Sequence, residues 1–340
     1  MSSNRVVLLF GVFLLLFTTA RGQTPQHAAS TQERDMGLPR LTDWFLSTGN
    51  WQNDPQLYVR EFGRGSEPVI MLHGGWGAEH SGLIEAVKTL EDRYRFIFYD
   101  QRGSLRSPSP DSMITFDRHI EDLELLRQEL GLDTLTIVGH SMGAILASAY
   151  ASKYPVRIRR LVLVAPAHLK NPFPDADKAL LDRQNASLET FLNRREVTEE
   201  VERYRLNRTD RPLTSREETA RFRINLYKRM IYNITNWPLL TGGRGLYKGH
   251  IGELTAKTYP PSGWDYIDEF RRRTFQVGII VGDHDFLDFG NGIIKKWTQG
   301  VPGIKLTIVE KAGHLLWLDQ PDALAAELLR HLEAPGTAAR

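Results

Sequence analysis

At residues 138–146 the chain reads VGHSMGAIL, and no other stretch restricts its folding so tightly. The preceding GLDTLTIV is short and β-branched, like a buried strand; the following LASAYASKY is alanine-rich, like a helix. A strand that becomes a helix within two residues must turn sharply. The residue at the tip is then held in strained backbone, with its side chain lifted clear of the sheet. Side chains two places before and after it would collide with neighbouring backbone, and both places hold glycine, Gly139 and Gly143. The residue at the tip is Ser141. The five-residue pattern G-x-S-x-G is common by chance, but between such a strand and such a helix it presents a hydroxyl poised for attack.

Strand-like runs recur along the chain. PVIMLHGG, RFIFYD, TLTIVG, RLVLVAP, FQVGIIVG and IKLTIVE are short and nearly continuously apolar, and LYVREFG reads as an outer strand. Helical patterns such as FDRHIEDLELLRQELG and DALAAELLRHLE lie between them. Strands apolar on both faces and separated by helices predict an α/β fold, with a mostly parallel central sheet covered on both sides. The alternation breaks over residues 168–273, which are helical and arginine-rich. An insertion of that length predicts a helical cap over the C-terminal edge of the sheet, where open α/β sheets bind ligands. The core then occupies residues 51–167 and 274–334. The cap arginines read as a solvated helix surface. Thr214 with Glu217, or Ser215 with Glu218, fits a capping box that starts a cap helix.

The 340 residues are 41% hydrophobic and 25% charged, enough for a sizeable core. A net charge of +2 implies no strong pull toward nucleic acid. Residues 1–22 have the layout of a secretory signal peptide: a basic MSSNR, the apolar VVLLFGVFLLLF, then small residues with Ala20 and Gly22 placed for cleavage before Gln23. The apolar run, about 12 residues, is short of the ~20 a spanning helix needs. The mature chain is therefore expected to be secreted or periplasmic, with an uncleaved N-terminal anchor as the alternative. Residues 23–50 read as a polar lead-in. The chain has no cysteine, which excludes disulfides, thiolate metal sites and a cysteine nucleophile. Glycosylation triplets at Asn185, Asn207 and Asn233 matter only in a host that glycosylates.

A serine hydroxyl is a poor nucleophile until a base takes its proton, and the base needs an orienting group. In a fold of this kind the partners follow in the order Ser, acid, His, each beyond a later strand. GDHDF follows FQVGIIV, and KAGHLLWLDQP follows IKLTIVE. His314 is the expected base. His140 adjoins the serine on a tight turn where side chains diverge, and His284 is a weaker rival in the acid loop. A spacing of two residues after Gly282 selects Asp285 as the acid, leaving Asp283 to cap the loop. Asp100 also ends a strand but precedes the serine. Negative charge on a tetrahedral intermediate needs backbone donors: the N–H of Met142 at a helix start, and that of Gly75 in HGGWG. Trp76 and His140 are expected to line the substrate pocket. Histidines lack metal-ligand spacing and HGGWG lacks a dinucleotide pattern, so no cofactor is indicated.

HGGWG, YDQRGSLRS, GHSMGA, GDHDF and AGHLLWLDQP, in this order, resemble the α/β-hydrolase superfamily, and within it most closely the proline iminopeptidase group. The resemblance covers about Leu57–Pro166 and Phe275–Leu332, not the cap. It implies Ser141 as nucleophile, His314 as base, Asp285 as its orienting acid, and Gly75 and Met142 as oxyanion donors. It also implies that Asp100–Gly103 shapes the site without taking part in the chemistry. Two departures stand out. Met142 occupies a place where that group typically has Trp, and no Trp is followed by the Glu that binds a substrate amine; Trp237 precedes Pro238. The expected function is therefore an aminopeptidase acting through an acyl-enzyme on a short peptide or small molecule. A carboxylester or lactone hydrolase is the alternative, and an acyltransferase or a silent binding protein lies further off.

Overall fold

Each of the six apolar runs becomes a strand of one sheet, and the outer run brings a further strand with it. A computed structural model describes residues 41–333; the expected signal peptide and most of the lead-in lie outside them. The strands are β1 (Asp43–Ser47), β2 (Gln56–Phe62), β3 (Glu67–Leu72), β4 (Tyr94–Tyr99), β5 (Leu135–His140), β6 (Ile158–Val164), β7 (Lys170–Asn171), β8 (Trp264–Asp265), β9 (Val277–Gly282) and β10 (Ile304–Val309). Eight of them form the order β1-β2-β4-β3-β5-β6-β9-β10. The pairs β1–β2 and β2–β4 are antiparallel, and every later pair is parallel. The lead-in expected to reach residue 50 therefore ends sooner, because β1 already belongs to the sheet.

The helices are α1 (Ser81–Ile84), α2 (Phe116–Glu129), α3 (Met142–Lys153), α4 (Asp175–Leu192), α5 (Arg195–Arg203), α6 (Ser215–Tyr227), α7 (His250–Ala256), α8 (Tyr266–Arg271), α9 (Gly292–Thr298), α10 (Leu316–Asp319) and α11 (Pro321–Glu333). Successive strand residues feed opposite faces, as a side-chain period of two requires. Ile70, Ile97 and Ile137 pack with Phe116 of α2 and Leu146 of α3. Their neighbours Met71, Phe98 and Val138 pack with Leu324 and Leu328 of α11. All six residues of β5 are buried, which is why its sequence is apolar throughout.

Helices α4 to α8 occupy the interval between β6 and β9. The two-stranded ladder β7–β8, which the helical appearance of this stretch did not foretell, pairs Lys170 with Asp265 and Asn171 with Trp264. It closes the insertion at its base. Thr214 and Glu217, rather than the pair one residue on, make the capping box: Glu217 N–H donates to Thr214 Oγ1 at 3.3 Å and Thr214 N–H to Glu217 Oε2 at 2.7 Å. Several cap arginines form exposed pairs, Arg195–Glu199 and Arg221–Glu218 among them. The insertion reaches the sheet's C-terminal loops: Lys248 N–H donates to Gly77 O at 3.0 Å, and Leu315 N–H to Met230 O at 3.0 Å.

Candidate active site

Ser141 stands between β5 and α3 with φ 54° and ψ −119°, a conformation rare for any residue with a side chain. Surrounding packing enforces it. A Cβ on Gly139 would lie 2.6 Å from Gly143 O, and one on Gly143 would lie 2.3 Å from Leu72 O. Strand β5, helix α3 and the end of β3 thus come together only because both positions are glycine. The alanines of α3 serve the same end, since small side chains let the helix sit close beneath the sheet. Ser141 and Met142 remain half-buried while the eight residues after them are buried.

His314 and Asp285 arrive from the ends of β10 and β9, which lie side by side in register. His314 Nδ1 lies 3.0 Å from both carboxylate oxygens of Asp285. A carboxylate there fixes the proton on Nδ1 and leaves Nε2 as the acceptor. Asp285 also accepts from Leu287 N–H at 3.0 Å. Asp283 faces elsewhere: its Oδ1 takes a hydrogen bond from His284 Nδ1 at 2.6 Å and one from Ala312 N–H at 3.2 Å. The ring of Phe286 meets that of His314 edge-on at 4.9 Å, and the Arg229 guanidinium from the cap lies 4.9 Å over Phe286.

Gly75 has φ +71°, and Gly74 packs so closely on the serine turn that a Cβ there would lie 2.6 Å from Ser141 Cβ. The HGGWG loop is therefore adjacent to the serine. Its Tyr247-side neighbour is the cap: the Tyr247 ring lies 3.6 Å from where a Gly75 Cβ would be.

Trp76 and His140, expected to line the pocket, are both buried. The Trp76 indole stacks on His119 at 4.6 Å, donates from Nε1 to Tyr259 OH at 2.8 Å and is only 4% exposed. The buried His140 ring donates from Nε2 to the His314 carbonyl at 3.1 Å, and burial holds its pKa well below the usual histidine value. It is a neutral brace for the His314 backbone. His284 packs against Phe191, Tyr232 and Phe289, away from that contact.

The DQRG segment is structural. Asp100 accepts from His80 N–H at 3.0 Å and from His80 Nδ1 at 2.6 Å, with Arg106 Nη1 at 3.5 Å. Arg102 makes a fully buried, two-pronged pair with Asp122 at 3.0 and 2.5 Å. Gln101 ties the segment to the HGGWG loop, donating from its backbone to His73 Nε2 at 3.1 Å and from Nε2 to His73 O at 2.9 Å. An apolar cavity behind Asp285 is lined by Ala167, Leu169, Val281, Ile293 and Trp297. It abuts the back of the acid.

These features define a class, and the sequence comparisons agree. The chain belongs to the α/β-hydrolase fold family, whose sequence profile matches residues 67–321. It is 28% identical over 268 residues to a proline iminopeptidase of Saccharolobus solfataricus, covering 75% of this chain and 81% of that one. A proline iminopeptidase of Pestalotiopsis fici is 25% identical over 294 residues, 83% of this chain and 97% of its own length. Higher identity comes over shorter spans: 36% over 116 residues with a proline iminopeptidase of Heyndrickxia coagulans, 34% of this chain and 40% of that protein. Among solved structures, a proline iminopeptidase-related protein from Thermus thermophilus superposes with a TM-score of 0.61 at 21% identity, covering 87% of this chain and 99% of that one. An esterase from Exiguobacterium antarcticum does so with a TM-score of 0.57 at 18% identity, covering 86% and 100%. At such identities the superpositions establish the shared fold.

Sequence reasoning did not foresee the polar contacts around His314. Neither the bracing by His140 nor the part of Asp319, which accepts a hydrogen bond from Gly313 N–H at 2.9 Å, is written in local pattern. The run AGHLLWLDQP does place an aspartate five residues after the histidine.

Proposed function

We propose that this chain is a serine hydrolase that works through an acyl-enzyme, of the aminopeptidase kind that releases N-terminal proline or another small residue. One observation carries the chemistry: an imidazole held through Nδ1 by a carboxylate at 3.0 Å, on a loop braced against the turn that bears the strained Ser141. Ser141 Oγ attacks the substrate carbonyl while His314 Nε2 takes its proton. Asp285 keeps the ring oriented and stabilises the imidazolium. The N–H groups of Gly75 and Met142 receive the negative charge that develops on the carbonyl oxygen. Collapse of that intermediate expels the amine, which takes its proton from His314. His314 then deprotonates a water whose oxygen attacks the acyl carbon, and returns that proton to Ser141 Oγ as the acyl–oxygen bond to Ser141 breaks.

The aminopeptidase assignment is supported by the proline iminopeptidase relatives and by the HGG-x-G and DQRG segments. A second reading, an ester or lactone hydrolase, has its own support. Binding a free amine in a closed pocket calls for an anionic partner. Among the described residues, both buried cap carboxylates are already engaged: Asp177 with Lys296 and Trp297, and Glu200 with Trp237 and Arg203. The chain as exported, starting at Gln23, would meet its substrate outside the cytoplasm.

The test compares prolyl- and alanyl-p-nitroanilide with short-chain p-nitrophenyl esters, with Ser141→Ala as control. Anilide turnover that vanishes in the variant supports the aminopeptidase. Serine-dependent turnover of esters alone replaces it with the second reading.

A further inference from the structure

The segment that follows α6 is gripped from two sides. Arg194 supplies donors on one side: Nη1 to the carbonyls of Phe191 at 3.0 Å and Lys228 at 3.1 Å, and Nη2 to those of Ile231 at 3.2 Å and Tyr232 at 3.1 Å. Asp319 supplies acceptors on the other: Oδ2 to Tyr232 N–H at 2.7 Å and Oδ1 to Asn233 N–H at 3.0 Å. The same Oδ2 accepts Gly313 N–H, the residue immediately before His314. One carboxylate therefore holds both the cap segment and the histidine loop. The two backbones are already in contact: Leu315 N–H donates to Met230 O, and a Cβ on Gly313 would lie 2.5 Å from that oxygen.

The arrangement is costly unless it serves something. Loss of water around Asp319 raises its pKa above the usual carboxylate value, although three backbone N–H groups and the nearby Arg194 pull it down. Half-buried carboxylates are stabilised by such donors, but N–H groups on one element would suffice for that. Here they come from two elements, and one of them carries the base.

We propose that Asp319 is a positioning residue that locks the cap segment Met230–Asn233 onto the Gly313–Leu315 loop, so that His314 is held in working register only while the cap is seated. The proposal rests on the role given above to His314. Fixing Gly313 N–H on one side, the His314 carbonyl through His140 on the other, and Leu315 N–H through Met230 leaves the imidazole's backbone no freedom to swing. Asp285 then has only to orient the ring. A displacement of about 1 Å at such a base is worth as much as ~100-fold in rate.

The test uses the full mature chain with Asp319→Ala and Asp319→Asn. The amide retains an acceptor oxygen but turns an NH2 group toward one of the three N–H donors. Two readouts are taken on protein shown by circular dichroism to be folded at the assay temperature. One is the rate at which a fluorophosphonate probe reacts with Ser141, followed by intact mass. The other is the low-field proton NMR signal of His314 Nδ1–H, which reports the histidine–carboxylate contact without any turnover. The proposal expects labelling to slow about 10- to 100-fold in both variants and the NMR signal to broaden or shift. Should Asp319→Ala fail to fold, Asp319→Asn decides. Folded variants with wild-type labelling and an unchanged signal overturn the proposal. A wild-type protein that is not labelled at all would instead overturn the serine-hydrolase assignment, and the NMR signal alone would then judge the role of Asp319.

Discussion

The turn that carries Ser141 and the loop that carries His314 are held in place by different means. Around Ser141 the restraint is steric, and the end of β3 takes part in it. A strand, two glycines and an alanine-rich helix meet within a few residues against the end of β3, and added Cβ atoms would collide with backbone. Around His314 the restraint is polar and long in sequence. His140 is 174 positions away, Asp285 is 29 positions away, and the cap adds Met230 by a backbone bond. In the proposed mechanism the nucleophile must be presented in one strained conformation, and packing does that cheaply. The proposed base must be aimed and must accept and return a proton, which calls for directional hydrogen bonds. The two devices also fail differently: the first by clash, the second by loosening.

The largest expected effect tests the polar side. Asp285→Asn should lower kcat by about 10^3- to 10^4-fold, because the amide offers His314 the wrong hydrogen-bonding partner. Asp283→Asn, which keeps an acceptor for Ala312 N–H, should change kcat by less than about tenfold; the reverse ranking in steady-state assays would reassign the acid. Next comes the steric side. Trp76→Ala should cost about 3–5 kcal/mol of unfolding free energy, since the indole is packed on His119 and Tyr259. The anilide-to-ester preference of the folded remainder should shift. An unchanged preference would place Trp76 outside the pocket.

A smaller effect belongs to the buried histidines. Burial lowers the pKa of His73, His119 and His140, that of His119 to about 3, whereas unfolded histidine titrates near 6.5. The unfolded chain therefore binds more protons below pH 6.5. Stability from these groups is fully present above that value and falls as the pH drops, by up to about 1.4 kcal/mol per pH unit for each. Urea unfolding at pH 7 and pH 5 should show this loss, and His119→Gln should reduce it; a flat profile would contradict neutral burial. Smallest is the cap: Thr214→Ala should cost about 1 kcal/mol by removing the side-chain acceptor for Glu217 N–H, read by thermal unfolding, with kcat on an ester unchanged.

This contrast also explains what the sequence disclosed. The parallel strands, the elbow at Ser141 and the candidate pair Asp285–His314 were legible because each is written in local pattern: apolar runs, glycine spacing, a loop just past a strand. The partners of Trp76 were not legible because a tryptophan beside a glycine loop can turn inward or outward, and only the distant His119 and Tyr259 decide which. The same distance hid His140, Arg194 and Asp319, whose partners lie on other elements. The β7–β8 ladder escaped notice because two residues per strand leave no periodicity to read.

The most direct test of the central claim is to treat the chain from Gln23 onward with a fluorophosphonate and map the adduct by peptide mass spectrometry. A single adduct on Ser141, absent from Ser141→Ala and strongly slowed in His314→Ala, is the predicted result. An adduct elsewhere, or hydrolysis that survives Ser141→Ala undiminished, would contradict it.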